Sequence, residues 1–221
     1  MRCVRWCTVR ARLPSVALAA ALAASALAGA RGLAAQGVYN GCGMAGDATA
    51  AAAKALNVLK NRRAAPGAAD IDSSVTLAAL LAPGDDRGRW SDRRGASIVA
   101  YVRGVKPGGI ETTNCRARDV RYRDTHISLV LDPMRGGALP VIVEVTPRWR
   151  AMLAARGVDW STATLRRRLL GRWVRVTGWL LFDAEHANAA TNTAPGHPHD
   201  WRATAWEVHP ITALLVVPRP R

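Results

Sequence analysis

The chain has 221 residues, 49% of them apolar, and a mean hydropathy of −0.01, figures that suit one ordinary domain or two small ones. They exclude a collagen, a long coiled coil and a multi-span membrane protein. Thirty-one Lys and Arg stand against 16 Asp and Glu, a net charge of +15, which points to an anionic partner. Lysine occurs only as Lys54, Lys60 and Lys106; an Arg-heavy, Ala-rich chain is also what a GC-rich genome writes whatever the function.

Arg2, Arg5, Arg10 and Arg12 precede the small-apolar run Val16–Ala28, and Ala28-Gly29-Ala30 or Leu33-Ala34-Ala35 offers small residues for cleavage. This three-part pattern predicts a secretory signal peptide over 1–35 and an exported protein, periplasmic or extracellular. About 13 apolar residues make a helix of roughly 20 Å, short of the ~30 Å hydrocarbon core, so no membrane span is expected after leader removal. A chain beginning at Gln36 keeps 26 basic and 16 acidic groups. Cys3 and Cys7 leave with the leader. Cys42 and Cys115 remain, and in an oxidising compartment they are expected to form one disulfide. Closing a loop that long is worth roughly 4 kcal/mol in the loop-entropy model.

Residues 36–95 read as an N-terminal helical and loop extension. DATAAAAKALNVLKNRR, 47–63, is rich in helix formers, with Asp47 as the expected cap and basic residues in its last turn, which predicts a short surface helix. A short apolar stretch, Val75–Leu81, precedes the breaker-rich PGDDRGRWSDRRG, expected to be a connecting loop.

From Ala96 the pattern becomes β. SIVAYVRGV (97–105), HISLVLD (126–132), VIVEVT (141–146), WVRVTGWLLF (173–182) and TAWEVHPITALLVV (204–217) are β-branched or alternating runs bounded by Gly, Pro, Asn or Asp. Pro147–Leu170 reads as a helical interval opened by Pro147. Three strands, a helical connection and two strands give the chain path of an OB-fold: a mainly β, five-stranded Greek-key barrel with a helix between strands three and four. LLGRWVRVTGWLLFD (169–183) resembles the fourth strand of such domains and SIVAYVRGVKPGG (97–109) their first. With VIVEVTPRWR (141–150) and WRATAWEVHPIT (201–212), residues 96–217 resemble uncharacterised exported bacterial proteins with an OB-like domain. The resemblance implies a fold and no particular reaction.

Seven tryptophans, at 90, 149, 160, 173, 179, 201 and 206, follow the leader, against a single Phe182. Most are expected to pack core and rim. RWVRVTGW and PRWR interleave Trp with Arg, as a stacking platform for bases or sugars does, so Trp149, Arg150, Trp173, Arg175 and Trp179 are the candidate ligand-binding residues. In strand four Trp173, Arg175, Thr177 and Trp179 share one side, while Val174, Val176 and Gly178 share the other.

All five histidines lie in the C-terminal half. His126 and Glu144, on neighbouring strands, are expected to face one surface away from the apolar side; Asp183, Glu185 and His186 follow strand four, and Arg202, Glu207 and His209 belong to strand five. His126, Glu144, Glu185, His186, Arg202 and His209 are therefore the candidate catalytic group, with His126 and His186 as candidate ligands for a divalent metal. His197 and His199 in HPHD have a pinching spacing for Cu²⁺ or Zn²⁺ but no third ligand, and read as part of a loop. His209-Pro210 marks an edge or bulge. Phosphate loops, a nucleophile elbow and dinucleotide fingerprints are absent from the sequence.

Three functions remain open at this point. The first is a monomeric exported protein that binds a polyanionic or oligomeric ligand, nucleic acid before oligosaccharide, through an Arg/Trp face. The second is a metal-assisted phosphodiesterase or nuclease built on the His/Glu group. The third is a structural envelope protein without activity.

Overall fold

The computed structural model describes residues 38–220; the expected leader lies outside them. Five strands, β1 (Gly95–Pro107), β2 (Thr125–Val130), β3 (Val141–Val145), β4 (Trp173–Phe182) and β5 (Trp206–Val216), close a barrel in the order β1-β2-β3-β5-β4. This is the OB-like order read from the sequence. All neighbours are antiparallel except β3 and β5, which meet in parallel at Val143 and Val208.

β1 is long enough to serve two neighbours. Its first half, Gly95–Tyr101, pairs with β4, and from Tyr101 to Pro107 it pairs with β2, with a register shift between Val102 and Gly104. A bulge of this kind bends a strand and raises its twist, so one strand can belong to both walls. Gly178 of β4 sits where β5 also shifts register, beside the cis His209-Pro210 bond. A Cβ at Gly178 would collide with Pro210 O, Val208 and Ile211, so only glycine lets the two strands approach there.

Alternation sends Ile98, Val102, Ile127, Leu129, Val141, Val143, Val145, Val174, Val176 and Val208 into one core. Two helices join β3 to β4 in place of one continuous interval. Thr146 caps α3 (Pro147–Ala154) by accepting from Trp149 N, and Ser161 caps α4 (Thr162–Leu169) by accepting from Thr164 N. Gly157, at φ +76°, turns the chain between them.

Residues from Tyr39 onward form one compact unit, so the N-terminal extension packs with the barrel. Val75, Leu77 and Leu80, the last two from the helical turn α2 (Leu77–Leu81), enter the barrel core. Asp86, inside the expected connecting loop, is fully buried: its carboxylate accepts from Asn192 and Thr204, and its carbonyl from Trp206 Nε1.

The helix α1 (Ala51–Lys60) forms as expected but differs in two respects. Ala50, with no side-chain bond, occupies the cap, and Asp47 instead pairs with Arg116. It is also no surface helix, because Asn57, Lys60 and the following Asn61 are buried. Asn57 donates to Ala45 O and Thr112 Oγ1, and Asn61 donates to Met44 O and Thr113 O while accepting from Arg148 Nε. The Cys42–Cys115 disulfide joins the same two segments. Among the described residues no helix is long and apolar enough to cross a membrane.

Candidate functional site

On the side of β2, β3 and β5 opposite to the core, alternation places His126, Glu144, Glu207 and His209. Alternation alone would leave such a face to solvent. Instead the segments 108–124 and 183–205, together with α1, cover this face, and all four residues are buried. Burial of so many ionisable groups is sustainable only if each finds a partner.

The partners form one continuous network. His126 Nε2 lies 3.0 Å from Glu144 Oε1, and the other oxygen of Glu144 is 3.7 Å from His209 Nδ1. His209 Nδ1 also meets Glu207 Oε2 at 3.1 Å, and Glu207 Oε1 receives Arg202 at 2.7 Å. Arg202 reaches Asp183 at 3.5 Å, and Asp183 holds His186 Nδ1 at 2.6 Å. Lys60, 1% exposed, closes the network with Glu111 at 3.2 Å and with Asp183 and Glu185 at 3.6 Å each. Asp124, bonded by Asn114 Nδ2, lies behind it.

All six sequence candidates for catalysis thus fall in one region. His126, Glu144, Arg202 and His209 are buried, while His186 and Glu185 keep about a third of their side chains exposed. Sequence reasoning passed over Lys60 and Glu111 and left Asp124, Asp183 and Glu207 outside the candidate group. Asp183 and Glu207 adjoin residues in that group and were within reach of the same reading. Lys60 carried the opposite signal, a cation in the last turn of a helix expected to face water.

Electrostatics follow from this packing. Burial works against charge on His126, but Glu144 outweighs it and pushes His126 up to about 9. Burial likewise opposes ionisation of Glu144, yet His126 and His209 hold it below the usual carboxylate range. The hydrogen bond to Asp183 raises His186, and Glu144 raises His209 against its burial. Asp124 goes the other way, pushed up to about 7 chiefly by burial. Six carboxylates face only Lys60 and Arg202 as permanent cations, and this excess of negative charge is what draws the three histidines upward.

The network opens on a cavity of about 500 Å³ lined by Lys106, Gly108, Glu111, His126, His186 and Trp201 among others. Trp201 is its wedge: the ring stacks near His126 with centroids 6.5 Å apart and meets His186 edge-on at 5.7 Å. Arg202 lies over its ring at 5.3 Å. Gly108 is required on the other side, since a Cβ there would stand 2.7 Å from His126 Nε2. His186 Nδ1 is held by Asp183, which leaves Nε2 as the ring nitrogen available to a ligand.

Two sets of donor atoms are close enough to share a cation, Glu111 with His126 and Glu144, and Asp124 with Glu144 and His209. His186, expected as the second metal ligand, belongs to neither set, and His197 and His199 are exposed and belong to no such set among the described residues. In this structure the ammonium of Lys60 stands against the first set, 3.2 Å from Glu111.

The expected Arg/Trp face divides. Trp149 is 6% exposed, packs in the core and donates from Nε1 to Arg62 O. Arg150, 8% exposed, donates to Thr125 Oγ1 and to the carbonyls of Arg121 and Arg123. Both turn inward because α3 caps the barrel with its first turn, so neither shares the outer face of Trp173 and Arg175; Arg150 instead lines a cavity of about 350 Å³ with Tyr39 and Trp160. Trp173, Arg175 and Trp179 do alternate outward on β4. Trp179 donates from Nε1 to Ala64 O and carries Arg62 over its ring, which leaves Trp173 and Arg175 as the open pair.

Compared with protein-family models, curated proteins and solved structures, the chain matches none. The likeness to OB-fold proteins therefore stands on strand order and topology.

Proposed function

We propose that this is an exported hydrolase of phosphodiesters, with the cavity beside Trp201 as its active site. The observation that carries the reading is the convergence of two carboxylate-held histidines, His126 with Glu144 and His186 with Asp183, on one cavity flanked by the same tryptophan. A histidine held by a carboxylate has a fixed orientation and a tuned proton affinity, which is what acid and base catalysts need. In the proposed step His186 Nε2 takes a proton from water as its oxygen attacks phosphorus. The bond to the leaving oxygen breaks, and protonated His126 supplies that oxygen with a proton. Lys106 at the rim and the imidazolium of His126 offset the phosphate charge. The Cys42–Cys115 disulfide supports an oxidising location.

A metal-assisted version draws support from the donor set Glu111, His126 and Glu144. One assay separates the two: cleavage of bis(p-nitrophenyl) phosphate and of a short single-stranded oligonucleotide by the oxidised protein, with and without EDTA. Cleavage that survives EDTA and falls about 10²–10⁴-fold in both His186→Ala and His126→Gln is expected. Abolition by EDTA moves the chemistry onto the Glu111 set. An inert protein overturns the hydrolase reading altogether.

A further inference from the structure

From Trp160 to Phe182 the chain contains five arginines, Arg166, Arg167, Arg168, Arg172 and Arg175, and no acidic residue. On α4 the apolar side is Leu165 and Leu169, both buried, and this turns the three arginines between them outward. Arg172 and Arg175 are likewise exposed. None of the five makes an ion pair among the described residues; Arg167 donates to Thr164 Oγ1. Elsewhere in the protein exposed arginines do take acids, as Arg87 does with Asp85 and Arg121 with Asp119. What marks this stretch is density: five arginines within ten residues, with Asp159, just before it, acting on Arg167.

Aromatic rings adjoin it. The turn before β4 is bonded to β1, Gly171 N to Val102 O and Val102 N to Arg172 O, so Arg172 lies beside Tyr101. Tyr101 pairs in register with Trp173, and their rings meet edge-on at 5.8 Å, both partly exposed. Arg175 follows Trp173 two residues later on the same face. Guanidiniums spaced along a strand and a helix end suit a row of phosphates, and the ring pair between them suits an unpaired base.

We infer that the outer face of β1 and β4, continued onto the end of α4, is a docking surface for single-stranded nucleic acid, separate from the cavity. Free phosphate charge alone would not use the rings, and a duplex hides its base faces, so the combination selects a single strand. The inference does not depend on cleavage: it concerns where a strand is held, whatever happens at the cavity.

The test is fluorescence anisotropy of a labelled 12-nucleotide single strand with the full oxidised protein at 50 and 200 mM salt. Five phosphate contacts at a slope of about −0.7 each predict a roughly 100-fold loss of affinity across that range. Arg172→Ala/Arg175→Ala should flatten the slope by about 1.4, and Trp173→Leu should weaken binding roughly tenfold, with melting by circular dichroism confirming that each variant is folded. Unchanged binding in the arginine variant overturns the inference, as does dextran sulfate or a duplex of equal length binding as tightly as the single strand. Binding without cleavage would refute the hydrolase reading alone, and cleavage with unaltered binding in the arginine variant would refute this one alone.

Discussion

The two outer faces of this barrel handle charge in opposite ways. Over β2, β3 and β5, acids and bases in nearly equal number are buried together and bonded, and only His186, Glu185 and the rim of the cavity meet solvent. Over β1 and β4 the charge is of one sign, exposed and, among the described residues, without ion-pair partners. The first arrangement fixes geometry and shifts proton affinities, because removing any member strands another in a poor dielectric. The second fixes little and instead projects a field that reaches about a Debye length. A net charge of +15 points to the second face and says nothing about the first, where chemistry is more readily built.

This contrast gives its largest effect at Lys60. Lys60→Met keeps the length of the side chain but leaves Glu111 and Asp183 short of their shared cation, and should cost about 3–5 kcal/mol in urea unfolding. Arg175→Ala, the matching loss on the open face, should stay within about 0.5 kcal/mol. Equal costs would erase the distinction. Next comes Gly108→Ala, where the added Cβ would stand 2.7 Å from His126 Nε2. Displacing that ring should lower phosphodiester cleavage more than tenfold, with a stability loss of about 1–3 kcal/mol from overpacking.

The pH dependence of stability sharpens the comparison further. The folded value of His126 is raised from 6.5 to about 9, so its contribution is complete below about pH 6.5 and is lost as pH rises through about 9. Asp124, raised from 3.8 to about 7, contributes fully below about pH 4 and loses that contribution as pH rises through about 7. Glu144 and Asp183, both held low, contribute above the carboxylate range and lose that contribution as pH falls. The melting temperature should therefore decline between pH 7 and about 9.5, and His126→Gln should flatten that decline. The smallest effect belongs to salt: raising ionic strength to about 0.5 M should leave the melting temperature of the parent nearly unchanged, since the ion pairs that matter are buried and screened little.

Strand positions were legible because the barrel core imposes a two-residue period and Gly, Pro, Asn and Asp end each run; β4 spans Trp173–Phe182, the same residues as the alternating run. The same period misleads on the other side of the sheet. His126 and Glu144, or Glu207 and His209, alternate with Val, Ile and Trp as solvent-facing residues do, and nothing local reveals that other segments cover them. Asn57, Lys60 and Asn61 recur at helical spacing, so they form a stripe, but a polar one. Pattern reading assigns polar stripes to water, whereas this one is buried because the surface it covers is itself polar. Trp149 and Arg150 show the reverse case: flanking arginines suggest an outward face, whereas α3 turns both inward.

The double service of β1 also sets the order in which the molecule can be made. Its second half pairs with β2, which follows within some twenty residues, but its first half must wait for Trp173–Trp179, more than seventy residues further along the chain. Until that strand arrives, β1-β2-β3 is an open meander with an unsatisfied edge on each side, prone to pair with another chain. Contacts so distant in sequence slow folding. The arrival of β4 only moves one open edge from β1 to β4; a growing chain must therefore be shielded until β5 has emerged, because β5 pairs with β3 and β4 at once and closes both remaining edges.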